Sequence, residues 1–449
     1  MRTTLFCLSL LASTAYAQAP RPAAPATIDH YELVDLGLLN PGGYAYAKDI
    51  NNRGEVTGVG LAANAMSEHA YRYSGGAMTD LGTLGAQYSW GHAINDAGEV
   101  AGYSTVDQYT IHGFLYGGGT MTSTHPGTES FSRNNGLNTW GDVVGIYSDF
   151  FGGWITEYRA YYTWNGSPVL LGTFGGTESR GEDINDLGQV VGMARMSTGK
   201  IRAFSCQGTT LTELGDLGDV YSWAKALNNT GIIVGLSRPT PDEYHGFRWE
   251  RGVMTDLGTF GGPDSEGRDV NDTGTIVGFA EVPSSQHRAA IWQGANMLDL
   301  NDLVVNPGGW TLTGASGINE LGEICGTGQL NGTQRAFKLT PILRTTRGSR
   351  ATPGIAGVSS QVWALGAAPG AALELWGSFR PGSSALPGCS GLQLQMGSAQ
   401  LLATATADAE GRAEFGLVLG SASAGGMLRT QVVSPGTCEV APLVIQRVH

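Results

Sequence analysis

The sequence predicts an all-β protein, a seven-bladed β-propeller followed by a small β-sandwich-like domain. Three observations carry this. One unit of about 43 residues recurs seven times; each unit reads as four short strands; and the first unit-like piece of the chain matches the strand that the last unit lacks.

The repeat is easiest to follow in its turn. Asn51, Asn95, Asn138, Asn185, Asn228, Asn271 and Asn319 each begin a four-residue turn, in steps of 43 to 48 residues. The glycine three places on is Gly54, Gly98, Gly141, Gly188, Gly231, Gly274 and Gly322. Asn first and Gly fourth suits a type I turn between antiparallel strands, with the Asn side chain bonding its own turn. Before the turn runs a Ser-x-small-x-x-Ile-Asn strand, such as Ser179 to Asn185. After it runs a Val/Ile-rich strand, such as Gln189-Val190-Val191-Gly192, then a variable loop, then a His-Ala-Tyr type triplet. A Met-Thr-Asp-Leu-Gly element, as at Met254 to Gly258, completes the unit. No 3.6-residue period competes with this reading.

The phase of the array predicts closure. Tyr31 to Gly37 matches the last strand of a unit, and the final unit stops at Arg335 to Leu339, its third strand. Docking the first beside the second completes a seventh blade and removes an exposed strand edge.

On these residues the chain resembles the extracellular HAF-repeat proteins of bacteria. The carriers are His69-Ala70-Tyr71, His112-Gly113-Phe114, His245-Gly246-Phe247 and Arg202-Ala203-Phe204, with the Asp-Leu-Gly-Thr-Phe-Gly-Gly and Ile-Asn-x-x-Gly elements. The resemblance covers about residues 31–340. It departs at Thr122–Gly127, where Asp-Leu-Gly is lost, and at Arg159, Arg202, Arg288 and Arg335, where Arg stands for His. It implies export and a repeat architecture, and it implies no activity.

The ends of the chain give the domain plan. Arg2, the apolar Leu5 to Ala12 and the small-x-small site Ala15-Tyr16-Ala17 read as a signal peptide over 1–17. Residues 18–30 form a flexible lead, 31–341 the propeller, and 342–353 a linker rich in Thr, Arg, Ser and Gly. Short alternating runs over 354–449 suggest the small sandwich-like domain. Such a chain is exported through the general secretory route, to a secreted, extracellular or cell-surface location. Of the four cysteines left after cleavage, Cys389 and Cys438 are expected to form a disulfide, and Cys206 and Cys325 to be separate buried thiols.

Charge excludes some partners. The net charge of −13 becomes −14 when Arg2 is removed, which argues against nucleic acid and anionic membrane surfaces. No stretch approaches the 18 apolar residues of a membrane span, and a monomer is expected. No nucleophile elbow, His-Glu-x-x-His, Cys-x-x-Cys or P-loop is present, so no catalytic set, metal or cofactor is assigned. The triplet histidines sit in different blades and cannot converge on one ion; a structural hydrogen bond to a neighbouring loop is expected of them. The Asp183–Gly188 and Asp269–Gly274 segments have calcium-loop character but lack the oxygen ligands such a loop needs, and read as plain turns.

The informative positions vary inside the fixed frame. If the Ser-x-small-x-x-Ile-Asn strand is innermost, two of its columns border the central channel. One reads Tyr46, Trp90, Arg133, Arg180, Trp223, Glu266, Gly314. The other reads Lys48, His92, Asn135, Glu182, Lys225, Arg268, Ser316. Tyr46, Trp90, His92, Arg133, Arg180, Glu182, Trp223, Lys225, Glu266 and Arg268 are the candidate ligand-binding residues, against the alternative of inter-blade packing and ion pairs. The function expected is a non-enzymatic binding or interaction protein with an extracellular ligand, carbohydrate or protein. The alternatives are a propeller lyase or glycoside hydrolase at the channel mouth, drawing on Glu182, Glu266 and His92, and a structural surface protein.

Overall fold

The computed structural model describes residues 28–343, except 64–65, 126–129, 152–153, 156 and 165, together with short strands between Ser349 and Arg447. The leader and Cys389 and Cys438, with their expected bridge, lie outside the described residues.

Residues 28–343 form a seven-bladed β-propeller. The fourth blade is typical: Gly175–Ile184, Gln189–Met196, Ile201–Gln207 and Thr210–Glu213 pair in sequence order, all antiparallel. The inner strands of blades one, two, three, five, six and seven are Ala45–Ile50, Ser89–Ile94, Ser130–Leu137, Ser222–Leu227, Ser265–Val270 and Trp310–Ile318.

Closure follows the register that the phase of the repeat implies. Ile28–Asp35 pairs antiparallel with Thr333–Leu343, Leu33 opposite Leu339 and Asp35 opposite Phe337. The Asp35 carboxylate also accepts from the Arg335 guanidinium. One feature was not anticipated: Val304–Val305, after a single helical turn at Leu300–Leu303, adds a short parallel strand outside Ile28–Asp35.

Each consensus residue serves the packing of one blade on the next. The small and aromatic members of the triplet are fully buried, as with Ala70 and Tyr71, or Ala203 and Phe204. The inner-strand serine accepts from the triplet of the preceding blade: Ala70 N to Ser89 Oγ, Ala203 N to Ser222 Oγ and Gly246 N to Ser265 Oγ lie at 2.8–2.9 Å. The second strand carries glycine where the inner strand crowds it. A Cβ on Gly58, Gly102, Gly145, Gly192, Gly235, Gly278 or Gly326 would sit 1.8–2.3 Å from a carbonyl oxygen of the inner strand.

The blades give the two mouths of the channel different characters. Inner strands run toward the tight Asn-x-x-Gly turns, so those turns rim one mouth. The loops between second and third strands, and the connections from blade to blade, rim the other. Beyond the propeller, Ser359–Ala364 pairs with Ser349–Ala351 and Ala413–Val418. The first of these partners lies inside the segment expected to be a linker. Ala372–Ser378 pairs with Gln400–Thr406 and Met427–Ser434. Among the described residues no helix is long and apolar enough to cross a membrane.

Candidate functional site: the central channel

At the turn-bearing mouth the asparagines form a closed ring. Each Asn Nδ2 donates to the main-chain carbonyl of the equivalent Asn in the next blade, at 2.8–3.4 Å, and Asn319 completes the circle on Asn51. Each Oδ1 accepts the backbone N–H four residues on, at 2.9–3.1 Å. The side chain therefore bonds its own turn, as the sequence suggested, and also ties adjacent blades.

Three aspartates lie just inside this ring. Asp49 accepts from Ile50 N and from Ile94 N of the next blade; Asp183 does the same with Ile184 and Leu227, and Asp269 with Val270 and Ile318. These are inter-blade latches, and they explain the acids that gave two turns calcium-loop character. Burial raises all three, Asp49 to about 7 and Asp183 to about 6; the two backbone N–H donors only partly oppose it. Among the described residues no group of three or more His, Cys, Asp or Glu is placed to hold a metal ion.

The middle of the channel is built from bulges. In every inner strand the pairing register slips by one residue, and the extra residues are Lys48, His92, Asn135, Glu182, Lys225, Arg268 and Ser316. A bulge leaves its residue out of the ladder and re-aims its side chain. All seven line one space of about 420 Å³. The structure thus brings His92, Glu182, Lys225 and Arg268 together, with Lys48, from five different blades.

Tyr46, Trp90, Arg133, Arg180, Trp223 and Glu266 are the next layer, toward the loop-bearing mouth, and all are half-buried. Their aromatic faces are already occupied. Trp90 stacks on Tyr103 with ring centres 5.9 Å apart and carries the Lys48 ammonium 5.9 Å from its own centre. Trp223 has the Lys225 ammonium at 3.5 Å and the Arg180 guanidinium at 5.5 Å. Their indole N–H groups donate to acids, Trp90 to Glu68 and Trp223 to Glu182. Tyr46 packs edge-on against Tyr44.

The charges sort into two sectors. In blades four to six, Arg180 and Arg195 both bond Glu178, and Arg268 and Lys225 both face Glu266. Burial alone would raise Glu266, but Arg268 and Lys225 outweigh it and hold its carboxyl below the usual range. Glu182 is raised by burial, against the pull of Lys225. In blades one to three, Lys48 is lowered by burial and by the charge of Arg268. Burial and the charges of Lys48 and Arg133 lower His92 to about 3, so its ring is neutral at ordinary pH.

The triplet positions stand away from the channel. His69 bonds Asp80, His245 bonds Asp256, and Arg202 bonds Glu213, each eleven residues on. In these three the partner is an acid on the fourth strand of the same blade; Arg202 also reaches Asp216 in the loop beyond it, as expected of a loop contact, and His112 faces Ser123 instead. Cys206 and Cys325 are buried free thiols. No protein-family model matches the chain, and no curated protein matches it significantly.

Proposed function

We propose that the protein is a secreted, non-enzymatic binding protein that takes an extracellular ligand, carbohydrate or protein, at the loop-bearing mouth. The observation that supports this is the division of labour along the inner strand. Its turn end repeats one ring of asparagines, while its bulged and preceding positions vary from blade to blade, and the bulged residues line one space. Blade packing alone does not call for side chains that change in charge and size at equivalent points. The resemblance to the HAF-repeat proteins supports export.

A glycan array probed with the full chain tests the reading. Binding that the Trp90→Ala, Trp223→Ala double variant loses and Trp140→Ala on the turn-bearing face keeps would support it. No binding at all, or equal binding by both variants, would overturn it.

A hydrolase or lyase at the same mouth has one observation in its favour. Glu182 is raised and Glu266 lowered within one channel, a split seen in acid–base pairs. The Lys225 ammonium, 3.9 Å from Glu266 and pulling on Glu182, engages both carboxylates, which favours the binding reading.

A further inference from the structure

We infer that the loop-bearing mouth recognises an oxyanion, a carboxylate or a phosphate, in the sector formed by Lys48, His92 and Arg133. The inference rests on the binding reading above and gives the chemistry of its ligand.

The argument begins from counter-charges. Around the mouth, Arg180, Arg195, Lys225 and Arg268 each have an acid, as does Arg238, whose Nε lies 3.3 Å from an Asp219 oxygen. Arg133 has none among the described residues: its guanidinium lies 4.4 Å from the ring centre of Tyr103 and 5.0 Å from that of Phe131, and its buried Nε has no hydrogen-bond partner there. Lys48 has no ion pair among the described residues and rests on Trp90. The Trp90–Tyr103 stack links the two, a cation on each outer end. His92 packs against both rings, and its buried Nε2 also lacks a partner. Glu68, the acid of this sector, is engaged by the Trp90 indole and the Tyr44 hydroxyl.

A cation held on an aromatic face gains about 0.5–2 kcal/mol, which leaves its N–H donors unserved. Two such cations, from blades one and three, flank the partnerless Nε2 of His92 in blade two, and no acceptor among the described residues serves them. The guanidinium fork suits the paired oxygens of a carboxylate or phosphate. Trp90 and Trp223, the indoles on which a neutral sugar ring would stack in this channel, are both covered by cations. The net charge of −13 means that this sector must act at contact range, because the whole molecule repels anions at a distance.

Calorimetry of the full chain at low ionic strength tests this, with sodium galacturonate, inorganic phosphate and neutral galactose as probes. One of the two anions is expected to bind at about 1 mM or better, and which one does so distinguishes carboxylate from phosphate; galactose is expected to give no heat. Arg133→Gln is expected to weaken binding about tenfold, and Arg180→Gln, whose cation is already paired, by about twofold or less. Should Arg133→Gln fail to fold, Lys48→Met carries the same comparison. Absence of binding by both anions, or equal losses in the Arg133 and Arg180 variants, overturns the inference. A neutral glycan captured on the array, with no anion bound, would keep the broader reading and sink this one. Anion binding that depends on Arg133 supports both, whatever the array shows.

Discussion

The Asn319 side-chain amide donates to the main-chain carbonyl of Asn51 at 2.9 Å, across 268 residues of chain. The same bond joins every other pair of neighbouring blades, so the seam where the chain's two ends meet is built like the interior of the array. A closed ring of this kind has no terminal member. Each asparagine is nearly fully buried and satisfies two or more backbone groups at once.

Asn319→Ala should therefore cost as much as the same change far from the seam. The variant leaves the Asn51 carbonyl and the N–H groups of Leu321 and Glu323 without their partner, a loss of roughly 2–4 kcal/mol. Urea melts of Asn319→Ala and Asn228→Ala are expected to agree within about 1 kcal/mol. An Asn319 variant that melts like the parent, while the Asn228 variant falls, would show that the seam is open.

Much of this architecture was legible because it is local and repeated. The Asn-x-x-Gly turn shows its chemistry within four residues, and the phase of Tyr31 to Gly37 against Arg335 to Leu339 fixed the closure without any view of the ring. What stayed hidden involves reach between blades. Asp49, Asp183 and Asp269 occur in only three of seven units, and their second bond is to a backbone N–H 44 to 49 residues away. The channel columns could be named, but not the bulge that aims Lys48, His92 and Glu182 inward, because a one-residue slip leaves no mark on period or composition. Nor could the sequence say that cations cover Trp90 and Trp223. The pairing of His69 with Asp80 was visible as a spacing, eleven residues that recur as His245 and Asp256, and could have been read from it.

The bulge makes a demand that a single methyl group can test. Gly192 lies in the second strand of blade four, and a Cβ there would stand 1.9 Å from the Arg180 carbonyl oxygen and 3.1 Å from the Gly181 Cα. Backbone on both sides cannot move without breaking the ladder. Gly192→Ala should destabilise the domain by roughly 3 kcal/mol or more. Gly231→Ala, at a turn glycine with φ of 86° and nothing within 4 Å of the added atom, should lose only about 1 kcal/mol from backbone strain. Thermal melts that rank the two the other way would contradict the close approach.

The buried aspartates make stability depend on pH in a defined direction. Asp183 is raised in the fold to about 6 from an ordinary 3.8, first by burial in the channel and then by the charge of Asp186. A group raised on folding contributes stability that is complete below its unfolded value and is lost as pH rises through its folded value. The window for Asp183 therefore runs from about pH 4 to about pH 6. Asp183→Asn removes the titration while keeping one oxygen for the backbone, and Asp49, Asp269, Lys48, Lys225, Arg268 and Glu182, which share the channel, are present in both proteins. The parent should lose roughly 2–3 kcal/mol relative to the variant between pH 4 and pH 7, read as the difference between their urea midpoints. If the two midpoints run parallel across that window, the carboxylate is not held against its ionisation and burial does not govern the latch.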